Sequence, residues 1–270
     1  MLTASIVLFH HKIKDVQDVI NCVLKSCVSD IYMIDNSAND ALRKLEKISE
    51  RVHYIHSVNL GYGAGHNIAI REAIEKGATY HVVLNPDIYF EEGTLEKLEA
   101  YMEKHDDVGQ IMPKVYYPNG DLQYLCKLIP TPADLIFKRF LPAFLTKKRM
   151  EKFQLQFSGY NKIMNIPYLS GCFMFFRVSA LQKIGLFDER FFMYPEDIDI
   201  TRRMHEAYKT IFFPEVSIVH AHAAASKTNP RMLRIHMTNM IKYFNKWGWF
   251  FDSKRRKINK QVLEELKNDE

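Results

Sequence analysis

Apolar positions along the first ninety residues follow two alternating rhythms. Apolar-rich segments at Ala4 to Phe9, Ile31 to Ile34, Val52 to Val58 and Val82-Val83-Leu84 have the length and branching of buried strands. Between them, apolar residues recur at three-and-four spacing: Val16, Val19, Ile20, Val23 and Leu24 after Asp15, then Leu42, Leu45 and Ile48. A third such segment, Ile68 to Lys76, is stopped by Gly77. Strands and helices joined by short links predict a doubly wound, mostly parallel α/β sheet.

The rhythm continues less regularly. Leu95, Leu98, Tyr101 and Met102 mark a further helix, and Val108 to Met112 a strand. Pro118-Asn119-Gly120-Asp121, between Val115–Tyr117 and Leu122–Leu125, is a hairpin signal. Residues 130–165 are basic and aromatic without clear period, and read as a mobile or partner-facing insertion. Ile166 to Arg177 is again apolar, Ile211–Phe213 and Val216–Val219 are strands ending at His220, and a helical tail starts at Met232.

Candidate chemistry collects where strands end. Pro86 cannot donate to a ladder and biases Asn85 towards extended backbone, so the central strand stops there and leaves Asp87 at its carboxyl end. Open α/β sheets bind ligands at that edge, although Asn-Pro-Asp is also an ordinary turn sequence. Asp35-Asn36 ends the second strand, and Asn59-Leu-Gly61-Tyr-Gly-Ala-Gly65-His-Asn67 follows the third. Its glycines either bring backbone N–H groups near a phosphate or permit a tight turn and close helix packing. The segment matches neither a P-loop nor the dinucleotide fingerprint, which belongs after the first strand. Asp87 and His220, with a diphosphate, form a donor set for Mg²⁺ or Mn²⁺. Glu196-Asp197-Ile198-Asp199 complements a helix start, with Pro195 in the first turn, and equally offers a carboxylate that accepts a proton.

Composition narrows the class. The chain of 270 residues, 47% apolar and 26% charged, has the profile of a soluble globular protein. No run reaches the roughly 18 apolar residues of a membrane span, and Ile6–Phe9 runs at once into His10-His11-Lys12 rather than a signal-peptide core. Four cysteines without a C-x-x-C pair indicate neither zinc nor a disulfide framework, so a reduced cytoplasmic protein is expected. The net charge of +5 is clustered at Lys138-Arg139, Lys147–Arg149 and Lys254–Lys257, the last after Trp247-Gly-Trp249-Phe250-Phe251. Such a tail suits an anionic membrane surface, or else packs on the domain by its aromatics; no nucleic-acid reading motif accompanies it.

Together these segments resemble glycosyltransferase family 2, and within it the rhamnosyltransferase-like branch of surface-polysaccharide pathways, from Ser5 to about Arg256. Asp35-Asn-Ser37 resembles the base-binding strand end, and 59–67 the N-x-G-[FY]-[AG]-x-[AG]-x-N segment. Asn85-Pro86-Asp87 stands in the place of D-x-D, with its first acid replaced by Asn85. Ser170-Gly171-Cys172 with Arg177 resembles the acceptor-side strand, Phe191 to Asp199 the E-D motif, and His220 with Ser226 the H-x-x-x-x-x-S that follows.

The resemblance implies a GT-A-like, Rossmann-like fold, a mixed and mostly parallel sheet flanked by helices. It implies a catalytic domain over residues 1–228, divided near 112 into nucleotide-sugar and acceptor halves, and a helical tail over 229–270. It further implies an inverting transferase taking a nucleotide-sugar donor, dTDP-rhamnose or a UDP-sugar, and a glycan or lipid-linked acceptor at the inner membrane face. Asp197, with Glu196 as second choice, would be the base. Asp35, Asn36, Asn59, Gly61, Gly65, Asn67, Asn85 and Asp87 would line the donor site. Arg202 or Arg203 would meet the diphosphate, Ser170 and Gly171 the acceptor, and Asp87 and His220 the metal.

Two other readings compete. A sugar nucleotidyltransferase needs a basic, glycine-rich loop after the first strand, where Phe9-His-His-Lys-Ile13 stands instead. A non-catalytic nucleotide-sugar-binding module needs none of the acids at 196 and 197.

Overall fold

Leu2, Ala4 and Ile6 alternate with Thr3 and Ser5, all of them buried, and the strand they form is paired on both sides within the sheet. A computed structural model describes residues 1–136, 142–221 and 230–268. In chain order the first half comprises β1 (Leu2–Leu8), α1 (Ile13–Leu24), β2 (Val28–Asp35), a 3₁₀ segment (Ala41–Ile48), β3 (Val52–His56), α2 (Tyr62–Glu75), β4 (Tyr80–Leu84), β5 (Ile88–Phe90), α3 (Thr94–Lys104) and β6 (Val108–Tyr116). The second half comprises β7 (Cys126–Lys127), α4 (Pro132–Leu135), α5 (Ala143–Phe153), a 3₁₀ turn (Gln156–Ser158), β8 (Met164–Asn165), β9 (Tyr168–Leu169) and β10 (Phe173–Arg177). It closes with α6 (Val178–Ile184), α7 (Glu196–His205), β11 (Lys209–His220), α8 (Pro230–Trp247) and α9 (Ser253–Asn268).

Among the described residues the main sheet runs β3-β2-β1-β4-β10-β6-β11-β5, with β8 on β11. β1, β2, β3 and β4 are parallel, as the alternating rhythm predicts. β10 is inserted antiparallel between β4 and β6, and β6 pairs parallel with β11. This arrangement aims the carboxyl ends of β2, β4 and β11, and the amino end of β10, at one edge. Phe173 stands opposite Leu84 there, and the N–H of Asn85 donates to the carbonyl of Cys172 at 2.9 Å. Val82 and Leu84 point into the larger core and Val83 into a second core with Met174, Phe176 and Phe187, so β4 is covered on both faces.

Several expectations change. The glycine segment is not a loop: α2 begins at Tyr62, and Gly61 immediately precedes it at φ +105°. A Cβ on Gly61 would lie 2.2 Å from the Phe192 carbonyl oxygen, so glycine is required by both conformation and space. The hairpin turn forms, with Gly120 at φ +87°, but its return strand shrinks to one bridge between Tyr116 and Leu122.

Described residues within 130–165 carry regular structure. Thr131 and Asp134 cap α4 reciprocally, and Phe153, Leu155 and Tyr160 are buried in the main core. Residues 211–219 form one strand with a register shift between Phe213 and Ser217 rather than two strands. The tail shares the core, with Tyr243, Phe244, Val262 and Leu266 buried in it. The boundary at 228, Ser226 and Lys138-Arg139 lie outside the described residues.

Candidate active site

A run of close polar contacts joins the predicted metal pair to the predicted base. His220, the last residue of β11, faces Asp87 Oδ1 with Nε2 at 3.4 Å, and lies 3.3 Å from Asn85 Nδ2. Asn85 Oδ1 is 3.0 Å from the Tyr62 hydroxyl, which in turn donates to the Gly171 carbonyl at 2.7 Å. The N–H of Gly171 donates to Asp197 Oδ2 at 2.9 Å. Four separate segments, the ends of β4 and β11, the first turn of α2 and the turn before β10, therefore converge with the start of α7.

In its neutral form His220 has its tautomer set by Gln123. Gln123 Nε2 donates to the carbonyls of His220 (2.7 Å) and Tyr116 (3.3 Å), which turns Gln123 Oε1 towards His220 Nδ1 at 3.1 Å. Nδ1 is thereby the donor and Nε2 faces Asp87. Burial lowers the His220 pKa, but the adjacent Asp87 carboxylate and Cys172 outweigh it and push the imidazole up to about 10. The pair thus holds a proton where a divalent cation would compete for the same two atoms. A carboxylate oxygen and an imidazole nitrogen suit Mg²⁺ or Mn²⁺. Among the described residues no cluster of three or more His, Cys, Asp or Glu surrounds this pair.

The two acids of α7 have different surroundings. Asp197 accepts from the N–H groups of Gly171 and Ile198 (2.8 Å), and from the Tyr168 hydroxyl at 3.4 Å. Burial raises its pKa, while Lys127 and these donors pull it back. Glu196 Oε2 is buried and has no hydrogen-bond partner among the described residues; burial, reinforced by the charge of Asp197, raises its pKa to favour the neutral acid. One carboxyl is set up to stay ionised and its neighbour to stay protonated. Tyr194, two residues ahead of Glu196, holds φ +91°, a strained backbone for a tyrosine at the entry to the helix. Gly171 admits this contact, because a Cβ there would lie 2.9 Å from the Cβ of Asp197.

Other predicted residues are placed differently. Asp35 is fully buried, with Oδ1 accepting from the Ser37 N–H and Oδ2 from the Tyr54 hydroxyl, both at 2.9 Å. It shapes the strand end beside the buried Asn36. Asn59 accepts from the Gly61 N–H at 3.2 Å and forms the turn before α2, and Gly65 packs on Val7.

Asn67 does not face the site: its amide spans the Phe187 backbone and Glu189 at 2.9–3.0 Å and pins that loop. Nor do the two arginines offer free cations for a diphosphate. Arg202 is buried and donates to both oxygens of Asp252, at 2.7 and 3.0 Å. Arg203 is spent on Asp199 and on the carbonyls of Ile184, Gly185 and Leu186. Helical spacing signals the Asp199–Arg203 pair but gives no sign of Asp252 or of the carbonyls of Ile184, Gly185 and Leu186.

Four residues enter the site unannounced. Tyr62 and Gln123 position Asn85 and His220, Tyr168 meets Asp197, and Lys127 stands opposite Tyr168 in the β7–β9 register with Nζ 4.7 Å from its ring centre. Only Tyr62 had a signal, as the aromatic position of the glycine segment. Ser170 is half-buried beside Gly171.

The family model described as "Glycosyl transferase family 2" matches residues 5–185, two-thirds of the chain. The chain belongs to glycosyl transferase family 2. It is 25% identical over 187 residues to the N-acetylglucosaminyl-diphospho-decaprenol L-rhamnosyltransferase of Mycobacterium tuberculosis, covering 64% of this chain and 59% of that relative. It is 25% identical over 239 residues to the rhamnosyltransferase WbbL of Escherichia coli, covering 84% and 88%. The chain thus spans about three-fifths of the length of the mycobacterial relative. Among solved structures it resembles S. aureus TarS (TM-score 0.58, 13% identity, 99% of this chain and 43% of that one). It also resembles the Pyrobaculum calidifontis mannosyltransferase PcManGT, solved with GDP-Man and Mn²⁺ (TM-score 0.57, 15% identity, 91% and 63%). The family 2 chain has the GT-A fold, a mixed, mostly parallel sheet flanked by helices.

Proposed function

We propose that this family 2 protein is an inverting, metal-dependent glycosyltransferase. It would move L-rhamnose from dTDP-rhamnose to a hydroxyl of a glycan or lipid-linked acceptor at the inner face of a membrane. The observation that carries this reading is the run of close polar contacts from Asp87 and His220 through Asn85, Tyr62 and Gly171 to Asp197. It supports the reading by holding Asp87, His220 and Asp197, taken here as the metal ligands and the base, in one frame. The sugar and lipid-linked acceptor are inferred from the names of the rhamnosyltransferase relatives.

In this mechanism the donor diphosphate lies at the edge made by β4 and β11. Asp87 and His220 would hold Mg²⁺ or Mn²⁺, which supplies neutralisation of charge on the departing diphosphate. Asp197 takes the proton of the acceptor hydroxyl as its oxygen bonds to the anomeric carbon from the face opposite the leaving group. The carbon–oxygen bond to the nucleoside diphosphate breaks, and the sugar inverts. Glu196, neutral beside Asp197, avoids a second buried negative charge.

The test is thermal stability with a panel of nucleoside diphosphates and nucleotide sugars, with and without Mn²⁺ or Mg²⁺, followed by transfer assays. A ligand at a hundred times its dissociation constant adds ~2.7 kcal/mol of stability. A metal-dependent shift with dTDP or dTDP-rhamnose is expected. Asp197→Asn should keep that shift and lose transfer; near-wild-type turnover in that variant would remove Asp197 from the mechanism.

A further inference from the structure

The aromatic and basic tail divides into two halves with opposite surroundings. Trp247 is turned inward: its Nε1 donates to Asp199 at 2.8 Å and its ring lies under Arg202 at 3.9 Å. Arg255 likewise lies buried beside Asp252, while Lys254, itself exposed, pairs with Glu206. Phe250 and Phe251, by contrast, are 64% and 92% exposed. At these levels the rings bury almost nothing within the protein, so core packing does not account for them.

Phe250, with Phe251 next to it in the chain, lines an open groove of about 670 Å³ between α4, α5 and α9. Its lining cations are Arg149, which Asp134 of α4 holds at 2.7 Å, Arg255, turned inward to Asp252, and Arg256, Lys260 and Lys267 of α9, with the acid Glu264 3.6 Å from Lys260. Arg256, Lys260 and Lys267 recur at helical spacing and so form a basic stripe along one side of α9. One turn before Arg149, on the same side of α5, Leu145 is 61% exposed, and its neighbour Phe144 is 77% exposed. Exposed apolar side chains therefore flank a basic cleft from two elements distant in sequence. Charge excess with aromatics at the rim complements an anionic amphiphile: phosphate in the cleft, apolar rings among acyl chains. No helix among the described residues is long and apolar enough to cross a membrane, so contact would be peripheral.

We propose that the groove between α4, α5 and α9, with Phe250 lining it and Phe251 next in the chain, is a docking surface for anionic phospholipid bilayers. It deepens the proposed function by naming the face that meets the membrane, and rests on it only in placing the acceptor there.

The experiment is co-sedimentation of the full chain with vesicles of phosphatidylcholine alone, or of phosphatidylcholine mixed with phosphatidylglycerol, over a range of salt. Binding is expected only to the mixed vesicles, falling as salt rises. Phe250→Ser with Phe251→Ser, and separately Arg256→Glu with Lys260→Glu, should each weaken it by about tenfold or more. Both double variants should keep wild-type urea unfolding and the nucleotide-induced thermal shift, which reads the donor site independently. Absence of binding, equal binding to both vesicle types, or binding unchanged in both variants would overturn the proposal. So would a dimer in sedimentation equilibrium that the phenylalanine variant abolishes, because a second copy would then own the face. A lost nucleotide shift with vesicle binding intact would instead count against the donor-site reading.

Discussion

Arg202, on the helix that begins with Glu196 and Asp197, donates to both carboxylate oxygens of Asp252 at 2.7 and 3.0 Å, and both side chains are buried. The bidentate pair ties α7 to the start of α9, with Trp247 stacked on the guanidinium. Removing only the acid leaves a buried, unpaired charge. Asp252→Ala should cost about 3–5 kcal/mol in urea unfolding. Arg202→Met with Asp252→Leu should recover most of that loss, because two apolar groups need no partners. A cost under ~1 kcal/mol for Asp252→Ala would show the pair to be solvated like a surface bridge.

The second prediction concerns the acid limb of the reaction. Asp197 is faced by Glu196 on its own helix, by Lys127 and Tyr168 from β7 and β9, and by Tyr62 from α2. Burial raises its pKa and Lys127 is the largest opposing influence. A general base works only when ionised, so kcat/KM should fall as pH drops through a midpoint above the ordinary aspartate value of about 4. Lys127→Met keeps a stem over Tyr168 but removes the charge. Its limb should move to higher pH by about one unit, and Lys127→Arg should stay near wild type. An unmoved limb in Lys127→Met would mean that Lys127 does not act on the base.

The outline of the fold was legible because it rests on local periodicity. β1 to β4 and their helices lie where the runs of Val, Ile and Leu put them. The antiparallel insertion of β10 was not legible, since an apolar run carries no sign of strand direction. The same limit applied to side chains. Asp87, His220, Asp197 and Gly171 could be placed from strand ends and a helix start. Arg202, Arg203 and Asn67 were misplaced because their partners, Asp252, the carbonyls of 184–186 and Phe187, are set by tertiary packing. Lys127 and Gln123 sit in short segments with no periodic or motif signal, and only the folding of β7 and β11 brings them to the site.

Acid should destabilise the protein through two buried histidines, His66 on α2 and His81 on β4. Ser5 Oγ lies 2.7 Å from His66 Nδ1 and 2.8 Å from His81 Nε2, and His81 Nδ1 lies 2.8 Å from Thr3 Oγ1. Burial lowers both imidazoles, His81 to about 3 and His66 well below its usual value. The unfolded chain takes up these protons near pH 6.5, while the native state refuses them. Their contribution is therefore complete above pH 6.5 and is lost as pH falls below it, by about 2 kcal/mol per histidine at pH 5. Urea unfolding at pH 7, 6 and 5 measures the slope. His81→Gln should flatten it by about half; an unchanged slope would place the acid sensitivity elsewhere.

Metal affinity should depend on Gln123, which touches no predicted substrate. Its amide is oriented by the carbonyls of His220 and Tyr116, so its oxygen meets Nδ1 and leaves Nε2 directed at Asp87. Gln123→Leu removes that acceptor, freeing the ring to rotate and to place its proton on either nitrogen. Such orienting partners are typically worth 10- to 100-fold in metal affinity. Titration of Mn²⁺ into the protein with a nucleoside diphosphate should show a loss of about that size, with unfolding little changed. Asn85→Asp acts in the opposite sense, since it adds the carboxylate missing beside Asp87, and should tighten Mn²⁺ binding. If Gln123→Leu bound Mn²⁺ as wild type while His220→Ala did too, the histidine would have no part in holding the cation, and Asp87 would be left as the protein's contribution to the diphosphate site.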